Sequence, residues 1–103
     1  MPAGADSPHR RDLSECQLES IPPELCSLSA LRRLELHSNK LCQLPGEVGQ
    51  LAKLDHLSLH SNELEELTPG IGRCTALTWL SLNANRLVEL PATLGCLSNL
   101  GRL

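Results

Sequence analysis

Leucines recur along the chain in a fixed frame. From Leu31 the sequence reads LRRLELHSNKLCQLPGEVGQLAK, from Leu54 LDHLSLHSNELEELTPGIGRCTA, and from Leu77 LTWLSLNANRLVELPATLGCLSN. The starts at 31, 54 and 77 set a constant period of 23 residues. Each copy carries L-x-x-L-x-L-x-x-N-x-L. Within it Leu34 and Leu36 flank Glu35, Leu57 and Leu59 flank Ser58, and Leu80 and Leu82 flank Ser81. Apolar residues at every second position mark a half-buried strand. Successive copies are therefore expected to pair as parallel strands about 4.8 Å apart. Asn39, Asn62 and Asn85 follow the strands. Each is expected to turn inward and hydrogen-bond the bend, because a buried unpaired amide costs about 1–3 kcal/mol. Leu41, Leu64 and Leu87, then Leu44, Leu67 and Leu90, supply the next inward layers. Pro45, Pro91 and the pair Pro22-Pro23 suit the first turn of a short helix. PPELCSL, PGEVGQL and PATLGCL are thus expected to form brief helical turns behind the strands.

The frame divides the chain. Residues 31–53, 54–76 and 77–99 are full copies, and 100–103 begin another. Residues 8–30 are a degenerate copy, with Leu13, Leu18, Ile21, Leu25 and Leu28 in apolar slots and Cys16 in the Asn slot. Pro8 and Arg11 stand where leucines belong. That is the expectation for a terminal cap, whose outer side faces water. Residues 1–7 carry no pattern and read as a flexible tail.

The motif resembles the leucine-rich-repeat signature, with repeats of about 20–29 residues. The resemblance covers residues 12–103 and implies a right-handed α/β solenoid. Parallel strands would line its concave face, with short helical or 3-10 turns behind. The 23-residue LPxxLGxL form is similar to the intracellular branch, as in Ras-pathway scaffold and Scribble-type repeats. The second copy departs from it at Thr68, Gly70 and Cys74, which counts against a well-formed turn there. The resemblance further implies partner binding on the concave face.

Composition narrows the reading. Phe and Tyr are absent and Trp79 is the sole aromatic, so the core must be built from leucine at regular sites. The formal charge of −3 gives no broad basic footprint for nucleic acid. No apolar run reaches the roughly 18–20 residues of a membrane span, and Met1 to Arg11 lack a secretory core. Five scattered cysteines without a C-x-x-C pair fit a reducing compartment. A cytoplasmic protein without cofactor or membrane contact is the expectation. No catalytic motif appears. Gly49, Gly72 and Gly95 recur at the repeat period and read as turn residues.

Candidate binding residues are the strand positions pointing away from the core. The partner-binding set is Arg33, Glu35, His37, His56, Ser58, His60, Trp79, Ser81 and Asn83; Arg10, Asp12, Ser14, Glu15, Ser38, Ser61 and Ala84 belong to the same face. Cys16, Asn39, Asn62 and Asn85 form the expected structural ladder. Trp79 is the sharpest feature, since exposed Trp is enriched at binding hot spots; the plainer alternative is that it covers the end of the last strand. His37 and His60 share a slot, with His56 nearby, but a metal would need a third ligand and none is evident. Arg10, Arg11, Arg32 and Arg33 could receive an acidic ligand, although pairing with Asp12 and Glu35 is the more ordinary fate. Cys16 and Cys74 are expected as small buried fillers, with Cys42 and Cys96 on convex or loop positions.

The expected function is recognition of a protein or peptide. One alternative is a regulatory subunit of a phosphatase or other enzyme. Another is a fragment or isoform without its own binding role, self-associating through leucines left uncovered at Leu97, Leu100 and Leu103.

Overall fold

The computed structural model describes residues 8–101; the expected tail at 1–7 and Leu103 lie outside them. Four strands, β1 (Arg10–Asp12), β2 (Arg33–Glu35), β3 (His56–Ser58) and β4 (Trp79–Ser81), form one parallel sheet in chain order. The 23-residue period becomes the register: Arg10, Arg33, His56 and Trp79 align, as do Arg11, Leu34, Leu57 and Leu80. The inward column of leucines is sealed, with Leu34, Leu57 and Leu80 at 0% exposure.

Behind the sheet each copy makes a five-residue 3-10 turn, at Pro23–Ser27, Gly46–Gln50, Pro69–Arg73 and Ala92–Cys96. Pro45 and Pro91 sit one position earlier than expected, as extended N-cap residues rather than in the first turn. The irregular second copy forms its turn nonetheless. Proline moves to the first helical position at Pro69, and Thr68 Oγ1 accepts from the Gly70 amide at 3.2 Å. The cap replaces what the missing proline at 68 would have preset.

The periodic glycines serve close approach. Gly49 and Gly72 do not adopt positive φ. A Cβ on Gly72 would lie 2.7 Å from Thr93 Cβ, and one on Gly49 would lie 2.7 Å from the Gly70 carbonyl oxygen. Turn-to-turn spacing, not a turn conformation, requires glycine there. At Gly95 nothing lies within 4 Å.

The bend after each strand is left-handed instead at Glu15, Ser38, Ser61 and Ala84, with φ of 55–60°. Each such residue costs about 1–2 kcal/mol for an L side chain. The asparagine that follows three of them holds the bend. Asn62 Oδ1 accepts from the Leu41 amide at 3.1 Å, and its Nδ2 donates to the Leu36 and Leu59 carbonyls at 3.0 Å each. Asn39 and Asn85 repeat the pattern. Each amide thus ties its own copy to the one before.

Cys16 departs from the expected ladder. It is exposed, and its thiol reaches only the Ser14 carbonyl. A thiol cannot reproduce the two-sided amide, and the Cys16 backbone is instead held from Asn39. Cys74 is buried, contacts the Val48 carbonyl at 3.2 Å, and burial pushes its thiol up to about 11. Leu90 was expected inside but is 43% exposed, and Leu87 is only half-buried. Among the described residues no further copy stacks on that side, so these leucines lack the cover that Leu44 and Leu67 receive.

Candidate functional site

The outward strand positions form three columns across the sheet. The first runs Arg10, Arg33, His56, Trp79, and the second Asp12, Glu35, Ser58, Ser81. The third, just past the strands, is Ser14, His37, His60, Asn83. Parallel pairing at constant register places like slots side by side, so rings in one column stack. His37 and His60 lie parallel, with centroids 4.5 Å apart and planes 7° apart. His56 and Trp79 do the same at 4.1 Å and 6°. The sequence placed the first two imidazoles within reach of each other. The His56–Trp79 stack was not anticipated, although the shared slot carried the signal.

Two residues expected on the surface are not there. Ser58 and Ser81 are only 2% and 8% exposed. His37 Nδ1 bonds Ser58 Oγ at 2.9 Å, and His60 Nδ1 bonds Ser81 Oγ at 2.8 Å. The imidazoles thus lean over the next strand and cover the hydroxyls. The serines orient the rings, which lie over them. Arg33 and Asn83 are exposed, while Glu35, His37, His56, His60 and Trp79 are half-buried.

The arginine cluster divides. Arg10 Nη2 meets Glu35 Oε2 at 3.1 Å, and Arg33 Nε stands 3.9 Å from Glu35 Oε1. Asp12 accepts from the hydroxyl and amide of Ser14, which hold its carboxyl below the usual range. Arg11 occupies the inward column opposite Leu34. Arg32 lines a separate shallow groove with Lys53, Asp55 and Thr78. Among the described residues no three ligating side chains gather as a metal site would need.

Burial lowers the His56 imidazole below its usual range, and the Arg33 guanidinium adds to this. Burial also lowers His60, with His37 contributing. In the unfolded chain both titrate near 6.5. As pH falls, the unfolded chain therefore takes up protons first. The stability held by the neutral rings is present above about pH 6.5 and is lost as pH drops through the lowered values. Thermal melting temperatures are expected to fall on acidification across this window. A His56→Gln/His60→Gln variant should flatten the slope; an unchanged slope would contradict the assignment.

A leucine-rich-repeat family profile matches residues 12–64, just over half of the chain. The chain belongs to the leucine-rich-repeat family. Such folds generally mediate protein–protein interaction. The chain superposes on a leucine-rich-repeat protein of Leptospira interrogans with a TM-score of 0.83 and 40% identity, over 84% of this chain and 22% of that one. It also shares its fold with an internalin of Listeria monocytogenes, with a TM-score of 0.69, 18% identity, and 81% and 25% of the two chains covered. It spans about a fifth to a quarter of those structures' lengths. No curated protein matches it. Among the described residues no helix is long and apolar enough to cross a membrane.

Proposed function

We propose that this leucine-rich-repeat chain is a non-catalytic recognition module that binds a protein or peptide through its concave face, in a cytoplasmic signalling or scaffolding role. The observation that carries the reading is the His56–Trp79 stack on the outward side of β3 and β4. The chain's one Trp is half-buried against a polar ring, while the leucine core is complete without it. Stacking fixes the indole before binding, which lowers the ordering cost of using it as an anchor. Arg33, Glu35, His37, His60 and Asn83 surround it as polar contacts.

Affinity purification with mass spectrometry tests this. Trp79→Ala should leave far-UV circular dichroism intact and weaken partner binding by about 2 kcal/mol, roughly thirtyfold. Equal recovery of the same partners by both proteins would sink the reading.

A second reading rests on a different observation. Val88 is 92% exposed and Leu90 43%, beside half-buried Leu87 and Leu94. This apolar face would also suit a second copy of the chain. Sedimentation velocity at low micromolar concentration would show a dimer if so, and a clean monomer would exclude it.

A further inference from the structure

Three of the chain's four histidines stand on one face of one sheet, beside an arginine. The carboxylates on the strands themselves are already engaged, while Glu15, past β1, is exposed. Glu35 is held by Arg10 and approached by Arg33, and Asp12 accepts twice from Ser14. The groups left to meet a partner are mostly donors. Arg33 has a side chain 48% exposed and a single contact at 3.9 Å. His37 and His60 have spent Nδ1 on serine hydroxyls, which leaves Nε2 of each ring. Trp79 offers an indole N–H, a donor only.

Charge follows the same arrangement. β1 contributes Arg10 and Asp12, and β2 contributes Arg33 and Glu35, which balance. His37 follows β2. β3 brings His56 and His60, with Asp55 before it, and β4 adds only Trp79, Ser81 and Asn83, none titratable near neutrality. With Glu15 past β1 and Asp55 before β3 the fixed charges are slightly negative at pH 7, and the face gains positive charge only through its imidazoles. Two rings stacked at 4.5 Å repel when both are charged. A carboxylate placed against them relieves that repulsion.

We propose that the concave face takes an acidic peptide segment, its carboxylates set against Arg33 and the His37–His60 pair, and that its grip tightens on acidification. This rests on the concave-face reading and adds the ligand's chemistry and its control. By linkage, a bound carboxylate favours the charged imidazoles, so affinity is highest at low pH and declines as pH rises through their titration. Burial lowers both His56 and His60 below the usual imidazole range, so they charge at lower pH than a free ring.

The test uses the full chain and a fluorescently labelled hexa-aspartate peptide, followed by anisotropy from about pH 7.5 to about pH 5 at constant low ionic strength, across the histidine range. Circular dichroism at each pH checks that the chain is folded. The wild type should bind at least ~10-fold tighter at the acid end, a difference of about 1.4 kcal/mol. His37→Gln/His60→Gln should reduce that ratio to below ~3-fold, because the stacked ring pair set against the carboxylates is gone. Arg33→Gln should weaken binding at both ends and keep the ratio. His9→Gln, away from the face, should change neither. A wild-type ratio near one, or a ratio that survives the double variant, overturns the proposal. In either case Trp79→Ala still tests the concave-face reading on its own, since partner recovery does not depend on the aspartate probe.

Discussion

Asn62→Ala lowers the stability of the fold by about 1–3 kcal/mol. The side chain is 7% exposed. It satisfies the Leu41 amide and the Leu36 and Leu59 carbonyls, which belong to two successive copies. Alanine leaves the Leu41 amide without its acceptor and takes one of two amide donors from each carbonyl, since Leu36 also accepts from Asn39 and Leu59 from Asn85, in a bend already strained by the left-handed Ser61. Small domains hold only about 5–15 kcal/mol in total, so the loss is a large share. Denaturant melts give the value directly, and an unchanged midpoint would contradict the role assigned to this amide. Asn85→Ala should cost less, because Asn85 is half-buried rather than buried.

Leu80→Ala costs about 2–5 kcal/mol, as a core deletion that leaves a cavity. Leu80 is fully buried and aligned with Leu57 in the register. Its neighbour Trp79 points to the opposite side of the sheet, so Trp79→Ala should cost far less stability. Chemical melts of the two variants side by side separate core from face. Equal losses would mean that the indole is part of the core.

Much of this architecture could be read from the repeat. A constant period of 23 residues translates into a sheet register, so Leu34, Leu57 and Leu80 had to align once the strands were parallel. The asparagine slot was legible for the same reason. What escaped the sequence depends on neighbours two slots away or on ends. Ser58 and Ser81 have the alternation of exposed residues, yet the long imidazoles of the preceding copies reach across and cover them. The glycines looked like turn residues because glycine usually supplies unusual φ. Here the need is room for Thr93 and for the Gly70 carbonyl. Cys16 and Leu90 occupy correct slots but, among the described residues, lack a stacking neighbour on one side. A repeat pattern gives every copy the same prediction, while burial depends on how many copies flank it.

The outward face was legible as a set of positions, and its chemistry only in part. Two histidines in one slot announced a stack. The His56–Trp79 pair needed the same reasoning applied to unlike residues. The arginines looked like one patch along the chain, but strand alternation sends Arg11 inward while Arg10 and Arg33 meet at Glu35.

Photo-crosslinking tests most directly whether the outward strand face is where a partner sits. A photoreactive residue at Asn83, exposed on that face, is compared with one at Gln50, exposed in the 3-10 turn behind the sheet. Crosslinked adducts should form from position 83 and not from position 50, and Trp79→Ala in the same chain should abolish them. Adducts from position 50 alone would place recognition on the convex side and contradict the assignment.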